Sequence, residues 1–239
     1  MLKTKKSYLI ATIIFIVAEI ILGYFIQTTR GKTYGILTVS SVALAFTYAI
    51  LNLRKEKSVI FTVIALCFTV VADFFLCGLV EGENNQLIAM CVFNVTQLLY
   101  FWRIYRNHDS KNQKVVHLSV RVFLCIGAVV ATILVLGDNV NALSIISLFY
   151  FANLFVNIIF AFIQFDISKL LSIGLLLFLF CDIFIGLSVM AESFIAVEEG
   201  SLIYTLNHLG VNMAWVFYVP SQTLIALSVS EDRLFSLKK

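Results

Sequence analysis

Two aspartates stand in stretches of the sequence that contain no other charged residue. Asp73 lies in FTVVADFFLCGLV at residues 68–80, and Asp182 lies in LFLFCDIFIGLSV at residues 177–189. Because burying a carboxylate among apolar groups is costly, such acids usually face a partner or a wet cavity. Two neighbouring carboxyl groups can hold one proton between them at neutral pH, which leaves one acid and one base. The pair therefore indicates general acid–base chemistry.

Further polar residues interrupt the other apolar stretches. Most of them lie three or four residues from another polar residue, which places each pair on one side of a helix. The candidate substrate-binding residues are Glu19, Asn94, Gln97, Asn157, Tyr218 and Gln222. Amides between membrane helices also serve as packing contacts worth about 0.6 kcal/mol each, so a structural role is the alternative for each amide.

The composition requires these residues to be positioned by membrane helices. The chain is 61% hydrophobic and only 13% charged, which is far from the makeup of soluble domains. The sequence predicts a single all-α membrane domain, residues 1–239, with eight transmembrane helices of about 20 residues each. The predicted spans are 8–26, 34–53, 58–80, 86–105, 117–136, 140–163, 168–190 and 209–230.

Other functional classes have little support in the sequence. A net charge of +3 does not indicate a nucleic-acid ligand. The five cysteines form no C-x-x-C pair, and the three histidines have no metal-binding spacing, so we expect no metal site.

The distribution of charge predicts the orientation. Acidic connectors occur at 81–84, 137–139 and 191–200, and basic ones at 54–57 and 106–114. The positive-inside rule then predicts a multi-pass protein of the cell membrane with both termini in the cytoplasm. Arg30 and Lys32, on the predicted outer side, are exceptions to this pattern.

The two aspartate segments suggest an internal repeat. With this topology Asp73 and Asp182 fall 15 and 14 residues after the starts of the third and seventh spans, at a similar depth of about 21–23 Å. The spans that follow, FNVTQLLYFW and FYVPSQTLIAL, each carry a glutamine near the middle. We therefore predict two parallel four-helix halves, residues 1–115 and 116–239.

Small residues share the helical face of Asp182. Gly174 lies eight residues before Asp182, and Gly186 lies four residues after it. Glycine lets a neighbouring helix approach closely, so both positions predict tight helix packing.

Four short motifs together resemble the YhhN-type lysoplasmalogenase family. They are ADFFL, QLLYFWRIY, CDIFIGL and YVPSQTLIAL. The resemblance implies hydrolysis of the vinyl ether bond of a lysoplasmalogen, a membrane lysophospholipid, to a fatty aldehyde and a glycerophospho-alcohol without a metal or other cofactor. By position, Asp73 and Asp182 are the catalytic acids. The sequence departs from the family pattern at Ala72 and Cys181, where Gly or Ser is usual, and at Gln97, where histidine is usual.

The resemblance suggests a division of labour within the site. One aspartate would protonate the vinyl ether carbon, the other would activate water, and Gln97, Gln222 and Tyr218 would orient the water or the headgroup. Two other classes of function stay open. Paired acids between parallel repeats can couple proton or cation movement to transport of a small solute. A noncatalytic lipid-binding protein would instead hold the acids apart or cap each with an amide.

Overall fold

The computed structural model describes residues 5–53, 58–108, 110–193, 201–207 and 211–236. The helices in this part of the chain are α1 Lys5–Thr28, α2 Gly31–Leu51, α3 Ile60–Leu76, α4 Asn85–Arg106, α5 Lys111–Leu136, α6 Ala142–Ile163, α7 Lys169–Ser193, α8 Leu202–Asn207, α9 Met213–Leu227 and α10 Glu231–Ser236. The basic connector 54–57, most of the acidic connector 191–200, and the first two residues of the predicted span 209–230 lie outside the described residues.

Seven helical segments of the described chain are long and apolar enough to cross a membrane. They correspond to α1, α2, α4, α5, α6, α7 and the stretch from α9 into α10. The chain is thus an all-helical, multi-pass membrane protein. The structure does not establish the predicted count of eight, because α3 has only 17 residues and is about 25 Å long.

A glycine turn ends α3 four residues before the predicted end of its span. Gly78 has a φ of 63°, in the left-handed region. Its amide donates to the carbonyl of Phe75, and the amide of Leu79 donates to the carbonyl of Phe74, at 3.1 Å each. This pair of bonds is the Schellman motif, which closes a helix although the apolar sequence continues beyond it.

A capping box extends α5 beyond the predicted start at residue 117. The Ser110 hydroxyl accepts a hydrogen bond from the Gln113 amide, and the Gln113 side chain accepts one from the Ser110 amide. These bonds satisfy two free backbone donors at the helix end. The helix therefore begins at Lys111 despite a polar first turn.

The helices pack as a bundle in which the two predicted halves have corresponding neighbours. In the first half α2 packs on α3 and α3 on α4, and in the second half α6 packs on α7 and α7 on α9. Contacts of α4 with α6 and of α2 with α9 join the halves. Helices α1 and α5 each pack on the second helix of their own half. The repeat itself stays a prediction.

The two glycines near Asp182 have different environments. A Cβ at Gly174 would lie 2.8 Å from the Cγ1 of Ile225 and 3.2 Å from the carbonyl oxygen of Ser221, so α7 and α9 touch there without room for a side chain. A Cβ at Gly186 would meet no described residue within 4 Å. The prediction of tight packing is confirmed at Gly174 and wrong at Gly186.

A buried polar cluster ties the helices together at the end where α4 finishes and α7 begins. Arg103 donates hydrogen bonds to the hydroxyls of Thr62 at 2.6 Å and Ser228 at 2.7 Å. The Glu231 carboxylate accepts from the Ser168 hydroxyl and from the backbone amide of Lys169. A carboxylate at the first amides of α7 satisfies free donors and complements the helix dipole. The cluster links α3, α4, α7 and α10.

Candidate functional site

Asp73 lies in the last turn of α3 and is fully buried. Its Oδ2 atom accepts a hydrogen bond of 2.6 Å from the hydroxyl of Tyr218 on α9. Its Oδ1 atom is also buried and has no hydrogen-bond partner among the described residues. A buried acceptor of this kind normally binds a donor, so Oδ1 is a place where a polar ligand or water can bind.

Asp182 lies in the middle of α7 and is partly buried. The hydroxyl of Tyr150 on α6 donates to its Oδ2 atom at 2.6 Å. Short bonds from neutral hydroxyls to carboxyl oxygens are strong and fix the orientation of both groups. Each aspartate is therefore held by a tyrosine from a different helix, rather than by an amide.

The two acids occupy matching positions on their helices. Asp73 and Asp182 are each 13 residues beyond the first residue of their helices, Ile60 and Lys169, which corresponds to about 20 Å along the helix. Asp73 also lies within electrostatic range of Asp182. The two acids are therefore close enough to interact electrostatically, while each binds its own tyrosine.

Aromatic rings form a wall between the two tyrosines. The ring of Phe93 lies 5.9 Å from that of Tyr150 and 6.0 Å from that of Phe178. The ring of Phe178 in turn lies 5.7 Å from that of Tyr218. These distances are typical of favourable aromatic pairs. The wall connects α4, α6, α7 and α9, and it makes the surroundings of the acids apolar.

Gln97 lies one turn beyond Phe93 on α4 and belongs to a buried polar chain. Its side-chain oxygen and its backbone carbonyl each accept a hydrogen bond from the Asn157 amide at 2.9 Å. The side-chain oxygen of Asn157 accepts from Arg121, as does that of Asn153. The side-chain oxygens of Gln97 and Asn157 both face a donor, which fixes the orientation of the Gln97 amide. The Nε2 group of Gln97 has no hydrogen-bond partner among the described residues.

Arg121 is a buried cation that we did not single out in the sequence. It is 5% exposed, and its guanidinium carbon lies 4.2 Å from the centre of the Phe101 ring. Amide oxygens and an aromatic face replace the carboxylate that usually accompanies a buried arginine. Its position four residues into the predicted span 117–136 is the signal that could have identified it, by the same reasoning that selected the acids.

Gln222 lies one turn from Tyr218 on α9. Its side chain is fully buried, yet neither its oxygen nor its nitrogen has a hydrogen-bond partner among the described residues. Leaving a buried amide unpaired costs about 1–3 kcal/mol. Gln222 thus offers one buried donor group and one buried acceptor on the same helix as Tyr218.

The remaining predicted substrate-binding residues have contacts elsewhere. Asn94 is partly buried and donates to the backbone carbonyls of Met90 and Ile146, which joins α4 to α6. Glu19 is buried and accepts a hydrogen bond from the Ser41 hydroxyl at 2.5 Å, which joins α1 to α2. In the described part of the chain, neither residue is hydrogen-bonded to the acids.

Tyr150 is a member of the site that the sequence reasoning missed. It stands three residues before Asn153 and seven before Asn157, so it continues the polar stripe of α6. The stripe was the available signal. As for metal binding, no three His, Cys, Asp or Glu side chains come together within the residues that the structure describes.

Comparison with known families adds one finding. The model of the YhhN family matches residues 32–229. This range contains both aspartates, both tyrosines and the polar chain from Arg121 to Gln97, whereas Glu19 lies outside it. No curated protein and no solved structure matches the chain in the corresponding comparisons.

Proposed function

The chain belongs to the YhhN family, and from this we propose that it is an intramembrane lipid hydrolase that cleaves the vinyl ether bond of a lysoplasmalogen. One observation carries the proposal. Asp73 and Asp182 lie within electrostatic range of one another, and each accepts a 2.6 Å hydrogen bond from a buried tyrosine. Two acids held in this way can divide the roles of acid and base.

The reaction needs one proton donor and one proton acceptor. One aspartic acid gives its proton to the vinyl carbon that does not bear oxygen, and the neighbouring carbon becomes an oxocarbenium centre. The other aspartate takes a proton from water while the water oxygen attacks that centre, and a hemiacetal forms. The hemiacetal hydroxyl then loses its proton as the glycerol oxygen gains one, and the C–O bond breaks to give the aldehyde and the glycerophospho-alcohol.

The amides and tyrosines position the reactants in this proposal. Tyr150 and Tyr218 hold the carboxyl groups, so the proton is exchanged through a carboxyl oxygen of fixed direction. Gln97 and Gln222 offer unpaired buried donors to the attacking water or to the glycerol oxygens. A glutamine amide does not titrate near neutrality as a histidine does, so both proton transfers fall to the two aspartates. Asn157 holds Gln97 in place, while Asn94 and Glu19 act in helix packing.

Localisation in the cell membrane with both termini in the cytoplasm is part of the same proposal. The apolar helices support insertion in a membrane. The residues at the two ends of the chain, 1–4 and 237–239, lie outside the described part. Labelling of a cysteine introduced beside Arg30 in intact cells tests the orientation, since we expect it to react with an impermeant thiol reagent.

The function is tested with three lipids that differ only at the first glycerol carbon. Purified protein in liposomes receives a lysophospholipid whose chain is attached by a vinyl ether, a saturated ether or an ester, and the products are measured by mass spectrometry. We expect fatty aldehyde from the vinyl ether alone, because only that bond is activated by protonation at carbon. Release of fatty acid from the ester, or no product from any of the three lipids, would contradict the proposal.

A further inference from the structure

A cavity of about 430 Å³ opens at the outer end of the bundle, the end at which α1 finishes and α2 begins. It lies between the last turn of α1, the first turn of α2, the second half of α7, the end of α8 and the start of α9. Its volume is in the range of small-molecule sites. Tyr34, Phe184, Met213 and Ala214 contribute to its apolar walls, and Arg30 is the charged residue among the described residues that line it.

Two reciprocal hydrogen bonds close one wall of the cavity. The Gln27 amide donates to the backbone carbonyl of Asn212 at 2.9 Å, and the Asn212 backbone amide donates to the Gln27 side-chain oxygen at 3.0 Å. The end of α1 is thereby fixed to the start of α9. These bonds restrict the movement of two helix ends that line the cavity.

A short row of aromatic rings connects the cavity with the acids. The ring of Tyr34 meets that of Trp215 edge-on at 5.3 Å, and Trp215 meets Tyr218 edge-on at 5.1 Å. Tyr218 is the residue that donates to Asp73. Tyr34 also lies within electrostatic range of both Arg30 and Asp73. Three aromatic residues in ring contact therefore connect the cavity that Arg30 lines with the acid site.

We infer that this outer cavity binds the phosphate-bearing headgroup of the lysophospholipid, with Arg30 as the residue that pairs with the phosphate. The inference rests on the proposed function, because it assumes that the acids act on the glycerol end of the same lipid. In such a lipid only the three glycerol carbons separate the phosphate from the vinyl ether oxygen, so a phosphate site has to adjoin the acids. The cavity does so, since Tyr34 in its wall is joined to Asp73 through Trp215 and Tyr218. A guanidinium group binds phosphate through two parallel hydrogen bonds.

The inference also accounts for a feature of the sequence that the topology leaves unexplained. Arg30 and Lys32 are basic residues on the predicted outer side, where the positive-inside rule disfavours them. Arg30 lines the cavity and Lys32 does not. A role in phosphate binding gives a reason for a cation at residue 30 but not at residue 32, so Lys32 is the matched control.

Binding is measured without hydrolysis by using a saturated-ether lysophospholipid and the alkylglycerol of the same chain, which lacks phosphate. The chain has two tryptophans, and in a Trp102→Phe background the fluorescence of Trp215 reports on the cavity. We expect Arg30→Gln to weaken binding of the lysophospholipid by about 10-fold, the loss of one charge-assisted contact at an open site. Binding of the alkylglycerol should not change, Lys32→Gln should match the parent protein, and Arg30→Lys should lose less than Arg30→Gln.

Inorganic phosphate in millimolar amounts distinguishes a headgroup site from a site for free phosphate. We expect it to compete only weakly with the lysophospholipid, because the chain and glycerol contribute to binding. Equal effects of Arg30→Gln on both ligands, equal effects of Arg30→Gln and Lys32→Gln, or full displacement by phosphate would overturn the inference. Arg30-dependent binding in a protein that releases no aldehyde would support the headgroup site and contradict the proposed reaction.

Discussion

Replacement of Asn157 by leucine is the sharpest test of the buried polar chain. Leucine keeps the branching of the asparagine side chain at Cγ but is larger, and the substitution removes three hydrogen bonds. One of them comes from the Arg121 guanidinium, and two go to the backbone and side-chain oxygens of Gln97. Asn157 is fully buried, so water does not readily replace the lost partner.

The expected cost follows from the kind of bond that is lost. Neutral hydrogen bonds between membrane helices average about 0.6 kcal/mol and reach about 1.7 kcal/mol. A bond to a charged group contributes about 1.5–3 kcal/mol, and more when the charge stays buried without its partner. We therefore expect Asn157→Leu to lower the free energy of unfolding by roughly 3 kcal/mol. Asn94→Leu should cost less than about 1 kcal/mol, because Asn94 bonds only to backbone carbonyls.

Unfolding in mixed micelles with increasing denaturing detergent measures these values. A double-mutant cycle with Arg121→Leu separates the charge from the packing. If the destabilisation in Asn157→Leu comes from the unpaired Arg121 guanidinium, the double variant should be more stable than the sum of the single effects predicts, because no unpaired charge remains. Additive effects, or a change below about 0.5 kcal/mol for Asn157→Leu, would refute the role given to the chain.

Two further predictions concern the acid site and the helix contact beneath it. Tyr218→Phe removes the hydroxyl that binds Asp73 and should lower the rate of aldehyde release by about 10- to 100-fold, as expected for one strong hydrogen bond. Because a buried carboxyl oxygen loses its donor, the free energy of unfolding should also fall by about 1–3 kcal/mol. An unchanged rate in single-turnover kinetics would contradict the role of Tyr218. Gly174→Ala places a methyl group 2.8 Å from Ile225 and should destabilise the fold by about 1–3 kcal/mol, whereas Gly186→Ala, which meets no described residue within 4 Å, should be near neutral. Equal loss of thermal stability in the two alanine variants would show that α7 and α9 do not touch as described.

The sequence predicts seven of the eight apolar helices because membrane-spanning segments need about 20 mostly apolar residues. It predicts their ends less well, because ends depend on local bonds. The third span is apolar to residue 80, yet Gly78 ends the helix at Leu76. The fifth span is predicted to begin at residue 117, yet the Ser110 capping box starts the helix at Lys111, in polar sequence. Turn and cap chemistry, rather than hydropathy, therefore sets these limits.

Part of the candidate site is also predictable from the sequence. The matching positions of Asp73 and Asp182 in two predicted spans led us to predict that they act as a pair. The partners of each acid were harder to identify, since Tyr150 and Tyr218 come from helices whose rotation is fixed only by packing. The same holds for Arg121, whose amide partners lie on α6. A sequence shows which residues share a face of one helix, but not which face a second helix presents.

Aldehyde release by three purified variants tests the central claim most directly. Asp73→Asn and Asp182→Asn keep the shape of the two side chains and one oxygen that can accept the tyrosine hydrogen bond, but they cannot exchange the proton. Asp166→Asn is the matched control, because this acid is 99% exposed and pairs only with Lys169 among the described residues. We expect both site variants to lose aldehyde release from lysoplasmalogen while the control retains it. Full activity in either Asp73→Asn or Asp182→Asn would contradict catalysis by the aspartate pair.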